Sequence, residues 1–360
     1  AELLGQIMDN YRESIAISGT HGKTTTTSMV TQMLLLACTD PTVSVGGILS
    51  SIDGNIRVGN SEFFLTEACE YTNSFLNFYP KYALILNIEE DHLDFFKDLA
   101  DIRQSFRRFA GNVSPEGTLI INGGIEHLEE LTEGLPCKVL TFGLAPSDSY
   151  YAGNIAFNPK GCASFNLMHG QEVTGSVSLS VPGIHNVSNA LAACALGIEL
   201  GLPFGAIQEA LAQFHGPKRR FEHTGDLGGI TIIDDYAHHP AEITATLQAA
   251  RNCGDHRIVC VFQPHTYTRT KAFLDEFAKA LSLADLVVLA DIYAARETDT
   301  LGISSKDLQK KLQKAGRECY YFPSFDEIEN FLLNKCINGD LLITMGAGDI
   351  VQVGEHLLGE

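Results

Sequence analysis

The stretch Ile17-Ser18-Gly19-Thr20-His21-Gly22-Lys23-Thr24-Thr25-Thr26-Thr27, ISGTHGKTTTT, decides how this chain folds. An apolar strand end at 15–17 runs through two glycines into a lysine that opens a helix-length segment, 23–37. Strand, glycine turn and helix together expose backbone N–H groups and the positive end of a helix, an arrangement suited to an anion. The phosphate-loop spacing G-x-x-x-x-G-K-[ST] would want glycine at Ile17, so the pattern is met only from Gly22 through Lys23 to Thr24. Two readings stand at this point. One is a triphosphate cradle, with Lys23 reaching the β- and γ-phosphates and the Thr24 hydroxyl joining a Mg²⁺ shell. The other is a small-residue turn capped by Thr20. Four consecutive threonines are poor helix formers, which favours a ligand.

Outward from this stretch, short apolar runs alternate with helix-length segments. The pattern predicts strands at 14–18, 63–66, 82–87, 118–121 and 139–142, with a helix over 102–110. From 150 to 181 the β-prone stretches are broken by NPKG and HG, which predicts antiparallel hairpins. Helices are expected over 187–200 and 204–214, and HGPKRRFE then breaks the pattern. Strands follow at 230–233, 257–262, 286–290, 318–322 and 341–344. The expected fold is α/β in two domains. Residues 1–216 form a central P-loop-type, mostly parallel sheet with a small antiparallel sheet, and 217–360 a second, doubly wound Rossmann-like domain.

The totals narrow the function classes. With 45% hydrophobic residues among 360, each domain can bury its own core. A formal charge of -19 excludes broad attraction to nucleic acid or anionic lipid. No apolar run is long enough for a membrane span and no charged-then-apolar leader opens the chain, so a cytoplasmic protein is expected. Nine cysteines without a C-x-x-C pair read as thiols in a reducing compartment, and their spacing fits no zinc framework.

Polar clusters follow the predicted strands. FFLTEACE closes a run with Glu67, followed by Glu70, and LILNIEEDHLD closes another with Asn87, Glu89, Glu90, Asp91, His92 and Asp94. Any single acid there reads as loop solubility. Glu67 and His92 read as metal ligands, because each closes a strand that would neighbour the loop strand. GIHNVSNALAA sets Asn186 and Asn189 three apart at a helix start, where their amides could read an adenine edge, or Asn186 could be an N-cap. IDDYAHHPAE delivers Asp234, Asp235, Tyr236, His238 and His239 before Pro240 starts a helix. Adjacent histidines diverge, which weakens a zinc reading. FQPHTYTRTK presents His265, Arg269 and Lys271, and ADIYAARE presents Asp291 and Arg296. MGAGDI is only G-x-G, with Val351 where a dinucleotide fingerprint needs a small residue, so NAD is not expected.

GTHGKTTTT, EACEY, NIEEDHLD, GIHNVSNA, GPKRRFE, DDYAHHP, QPHTYTRT, DIYAARE and MGAGDI, in this order, closely resemble the Mur ligases, and among them the alanine-adding branch. The resemblance covers essentially the whole chain. It implies an ATP-dependent amide ligation in peptidoglycan synthesis: the lactyl carboxylate of UDP-N-acetylmuramate takes the γ-phosphate, and L-alanine displaces it from the acyl phosphate. It implies an ATP site at Gly19, Thr20, His21, Gly22, Lys23, Thr24, Thr25, Asn186, Asn189, Arg220 and Asp235. Mg²⁺ would be held by Thr24, Glu67 and His92. Tyr236, His238, His265 and Arg269 would hold the muramoyl carboxylate and alanine, with Lys23, His238 and Arg269 as the catalytic set.

Two departures accompany the resemblance. Many members carry arginine at Thr266. The family's N-terminal UDP-gripping domain has no counterpart before Ile15, which predicts ATP binding with poor capture of the UDP-sugar. The rival readings are a ligase recycling murein peptides, a non-catalytic nucleotide-binding module and, more weakly, a folylpolyglutamate synthase. EACEYTNSFL and DIYAARE favour the alanine-adding enzyme over the first.

Overall fold

The structure, a computed structural model, describes residues 1–299 and 301–359. The chain divides into two units, Ala1–Asn158 with Cys162–Lys218, and Arg219–Glu360 with Pro159–Gly161. In chain order the first unit carries α1 (Glu2–Met8), β1 (Glu13–Ser18), α2 (Lys23–Leu36), β2 (Thr42–Leu49), β3 (Gly54–Arg57), β4 (Phe63–Glu67), β5 (Tyr82–Ile85) and α3 (Leu99–Gly111). It continues with β6 (Thr118–Asn122), α4 (Glu129–Thr132), β7 (Lys138–Gly143), β8 (Tyr150–Phe157), β9 (Cys162–His169), β10 (Glu172–Pro182), α5 (Ile184–Glu199) and α6 (Phe204–Ala212).

These ten strands form one sheet in the order β10-β9-β8-β7-β6-β5-β1-β4-β2-β3. Pairing is parallel from β8 across to β2 and antiparallel at both ends. The antiparallel hairpins expected at 150–181 are β8 to β10, and the parallel β7–β8 pair joins them to the main sheet. The central strands read as continuous apolar runs because both faces are covered. Ile15, Ile17, Leu65, Leu84 and Ile120 pack with Met29 and Met33 of α2 and Leu191 of α5. Their alternates Ala16, Phe64, Ala83, Ile85, Leu119 and Ile121 pack with Phe106 and Phe109 of α3.

Helix α2 forms although its first turns are threonine-rich. Thr26, Thr27 and Thr31 are fully buried, and Thr31 Oγ1 donates back to the Thr27 carbonyl at 2.7 Å. Burial of Met29, Val30, Met33 and Leu34 supplies what propensity does not. Only Thr24 and Thr25 of the four threonines stay near the loop mouth, partly exposed.

The second unit runs β11 (Glu222–Leu227), β12 (Ile230–Asp235), α7 (Pro240–Asn252), β13 (Ile258–Phe262), α8 (Tyr267–Ala272), α9 (Leu274–Leu281), β14 (Leu286–Leu289), α10 (Ser305–Lys314), β15 (Glu318–Tyr321), α11 (Phe325–Lys335), β16 (Leu341–Met345) and α12 (Val351–Leu358). Its sheet order is β11-β12-β16-β13-β14-β15, parallel except for the β11–β12 hairpin. Ile243 of α7, Phe277 of α9 and Leu308 of α10 pack on one face. Ile328 of α11 and Val353 of α12 pack on the other. The chain therefore leaves the adjacent strands β13 and β16 toward opposite faces, which opens a crevice at their carboxyl ends. Among the described residues no helix is long and apolar enough to cross a membrane.

Phe106 is fully buried, with its ring edge-on to Phe75 at 5.2 Å between centroids. Phe106→Ala should destabilise the first unit by about 3–5 kcal/mol in guanidinium unfolding. A loss well under about 1 kcal/mol would show that α3 does not pack as described.

Candidate active site

In the first unit the site grows from the β1–α2 turn. Gly19 has φ 143° and Gly22 φ 84°, values that disfavour side chains. A Cβ on Gly19 would lie 2.9 Å from Leu86 Cβ, and one on Gly22 would lie 2.6 Å from Asn189 Oδ1. The segment after β5 holds the turn from beside. Thr20 N–H donates to the Asn87 carbonyl at 3.1 Å, and His21 N–H donates to Asn87 Oδ1 at 2.7 Å. Asn87 Nδ2 returns a bond to the His21 carbonyl at 3.0 Å, and Glu89 N–H donates to Thr20 Oγ1 at 2.9 Å. Thr20 thus anchors to the neighbouring loop, while Gly22 stands at the N-cap of α2.

Lys23 folds back over this turn. Its Nζ donates to the Gly19 carbonyl, to the Thr20 carbonyl at 3.1 Å and to Glu70 Oε2 at 2.8 Å. Burial pulls the ammonium's pKa down, but Glu70, Cys69 and Glu67 together outweigh it, so the proton is held above the ordinary lysine value. Thr24 Oγ1 donates to Glu67 Oε2 at 3.1 Å, and Glu67 Oε1 accepts from Gly46 N–H at 2.5 Å. Oxygens about 3 Å apart are what two adjacent ligands of an octahedral Mg²⁺ with bonds near ~2.1 Å would show. The Thr24–Glu67 pair therefore fits that cation. His92, at φ 53°, stacks on Tyr71 at 4.5 Å and sets Nε2 3.8 Å from Glu70 Oε1.

Asn186 and Asn189 are both buried on α5. Asn186 Nδ2 donates to the Pro182 carbonyl at 2.8 Å, and Asn189 Nδ2 donates to Asn186 Oδ1 at 3.2 Å. Gly183, not Asn186, is the N-cap. Part of both amides' capacity thus serves the helix start, and Asn189 Oδ1 lies under Gly22.

In the second unit the carboxyl edge gathers a separate cluster. Asp235 ends β12 and accepts from Ala237 N–H at 2.7 Å and Phe221 N–H at 2.8 Å. Burial pushes its carboxyl up to about 6, against the pull of Arg220 and those N–H groups. The Arg219 and Arg220 guanidinium groups both pack on the Tyr236 ring, 5.1 and 5.3 Å from its centroid. His238 Nδ1 faces the Tyr236 carbonyl at 3.0 Å and Glu242 Oε2 at 3.3 Å, two acceptors that place the proton on Nδ1. His238 and His265 meet edge to face at 5.5 Å, and His265 also stacks on Tyr293 at 5.7 Å. Arg269 Nη1 lies 3.3 Å from His265 Nδ1. Thr266, at φ 65°, is the N-cap of α8, and its N–H donates to the Tyr293 carbonyl at 2.9 Å.

Several contributors have no sequence signal of their own. Glu242 accepts from His238 N–H at 3.1 Å and reaches Arg220 at 3.6 Å, so one carboxylate sets two of the expected site residues. Glu297 accepts from Tyr267 N–H at 2.7 Å and Thr268 N–H at 3.1 Å and so fixes the start of the helix that carries Arg269. Glu70 does the corresponding work for Lys23. Position after a strand marked the loops, but nothing local separates these acids from their neighbours.

The chain is similar to known proteins along most of its length. Residues 17–197 match the Mur ligase middle domain, and 219–348 match the domain described as Mur ligase, glutamate ligase domain. The UDP-N-acetylmuramate--L-alanine ligase of Agathobacter rectalis is 61% identical over 99% of this chain and 78% of its own length. The chain belongs to the Mur ligase family. Among solved structures of such ligases, the UDP-N-acetylmuramate-alanine ligase of Thermotoga maritima superposes with a TM-score of 0.83 at 30% identity, covering 99% of this chain and 77% of that one. A murein peptide ligase from Psychrobacter arcticus gives 0.72 at 24% identity over 99% and 79%, a likeness of fold.

This Mur ligase offers two tests of its local geometry. Gly22→Ala should weaken ATP binding roughly ten-fold in calorimetry, since backbone strain of about 1–3 kcal/mol falls on the loop. Unchanged affinity would mean that the turn adapts freely. Asp235 should titrate near 6 by carboxyl ¹³C shift. Its folded value lies above the unfolded one of about 4, so its contribution to stability is fully present below pH ~4 and is lost as pH rises through ~6. A midpoint near 4 would contradict its burial.

Proposed function

We propose that this Mur ligase joins L-alanine to the lactyl carboxylate of UDP-N-acetylmuramate at the expense of ATP. The observation that carries the reading is the loop mouth, where Lys23 and the Thr24–Glu67 oxygen pair converge on one anion-binding turn in a chain 61% identical to a ligase of that name. The carboxylate attacks the γ-phosphorus, ADP leaves, and the alanine nitrogen then attacks the acyl carbon and expels phosphate. No covalent protein group is required, so catalysis rests on charge placement and orientation.

Roles follow from chemistry. Backbone N–H groups of the Gly19–Thr25 turn and the Lys23 ammonium would hold the phosphates. Thr24 and Glu67, joined by His92, would hold Mg²⁺, which neutralises phosphate charge when bound. Asn186 and Asn189 would complete the first unit's part of the nucleotide site. In the second unit, Tyr236, His238, His265 and Arg269 would hold the carboxylates, and His238, fixed through Nδ1 at the Tyr236 carbonyl, would receive a proton from the alanine ammonium. We assign the reaction to the cytoplasm, which supplies ATP and keeps thiols reduced, in keeping with nine cysteines that are all free.

Phosphate release measured with ATP, UDP-N-acetylmuramate and a panel of amino acids should depend on L-alanine. Lys23→Ala should reduce it at least ~100-fold. Equal release with a murein peptide in place of alanine would favour the recycling ligase instead, and release that ignores every amine would remove the ligation.

A further inference from the structure

Glu70 is 2% exposed and lies three residues beyond the end of β4. Its Oε2 accepts from Lys23 Nζ, while Oε1 is buried and has no hydrogen-bond partner among the described residues. A lysine ammonium has three N–H donors. Here three acceptors surround it: the Gly19 carbonyl, the Thr20 carbonyl and the Glu70 carboxylate. A phosphate oxygen can therefore bond to Lys23 only by replacing one of them.

The two carbonyls belong to the turn and stay with it when an anion arrives. Glu70 differs, because its charge has the same sign as the newcomer and repels it across the shared lysine. We infer that Glu70 is a built-in counter-ion of the phosphate loop, which holds Lys23 in the ligand-free fold, yields it to the incoming polyphosphate and retakes it when the nucleotide leaves. The inference rests on the reading that this loop binds the phosphates of ATP, and it makes Glu70 a positioning residue for Lys23. The displaced carboxylate keeps the His92 imidazole as a neighbour, 3.8 Å from Oε1. The sequence distance explains why local pattern does not reveal the pair: Lys23 and Glu70 are 47 residues apart and meet because β1 and β4 lie side by side in parallel.

An ordinary anchoring carboxylate, once neutralised, would weaken nucleotide binding by letting Lys23 drift. A counter-ion that competes with phosphate predicts the opposite sign. In calorimetry with ATP, Glu70→Gln, which keeps shape and removes charge, should bind about ten-fold more tightly than the wild type, and nucleotide should dissociate correspondingly more slowly. Unchanged or weaker binding by folded Glu70→Gln overturns the inference alone, whereas a wild-type chain that binds no ATP overturns the phosphate reading and the inference together. Should Glu70→Gln not fold, the melting temperatures of Lys23→Met and of Lys23→Met combined with Glu70→Gln decide the matter. The single variant strands a buried carboxylate and should melt lower, and the double variant should recover most of the loss. Failure to recover shows that the two charges are not a pair.

Discussion

Parallel pairing of β1 with β4 and β5 is the constraint on which the loop mouth depends. Ile17 lies opposite Glu67 and Leu84, and Ser18 opposite Ile85, so the three strands end level on one edge. Ala68 N–H donates to the Ile17 carbonyl at 2.8 Å, and Leu86 N–H donates to the Ser18 carbonyl at 2.9 Å. Three segments with no sequence relation, 19–23, 67–70 and 86–92, therefore leave the sheet together. A one-residue slip of β4 would turn Glu67 to the opposite face and take it from Thr24. Strand register, more than the loop itself, sets the chemistry.

The second unit solves the same problem with a different fastening. Arg219 donates through Nε to Asp234 at 2.8 Å, through Nη1 to the Gly348 carbonyl at 3.1 Å and through Nη2 to the Gly346 carbonyl at 2.8 Å. One planar guanidinium thereby ties the entry to β11, the end of β12 and the loop after β16. Thr344 Oγ1 adds a 2.7 Å bond to Asp234. Arg220, next in the chain, shares the Tyr236 ring with Arg219 but turns to Glu242. Adjacent arginines divide the work: one is structural, and the other lies at the cluster of His238, His265 and Arg269.

Much of the fold is legible in the sequence because both sheets bury most strands on two faces. β1, β4, β5, β6, β13, β14 and β16 are apolar runs bounded by turn residues, and each stands within two residues of its expected place. β2, β3 and β11 carry no such signal. β3 is an edge strand with Ile56 65% exposed, and β11, Glu-His-Thr-Gly-Asp-Leu, has one apolar residue and owes its place to the hairpin at Gly228-Gly229 and to pairing with β12. The threonines of α2 illustrate a different limit. Their hydroxyls suggest a ligand, yet Thr26 and Thr27 turn into the core because the helix must bury the face that also carries Met29, Val30 and Met33.

The residues themselves determined the order of elements, the glycine-lysine turn that suits phosphate, and the polar clusters that follow successive strands. Each of these is local: a few neighbours in sequence suffice to state it. What only the tertiary structure decided is which polar groups are engaged inside the fold and which partners they take. Glu70 rather than any other acid meets Lys23, Asn189 lies beneath Gly22, and Arg219 reaches across 129 residues to Gly348. Those pairings depend on strand register and on burial, which remove water from a donor and oblige it to find an acceptor wherever the packed chain has brought one.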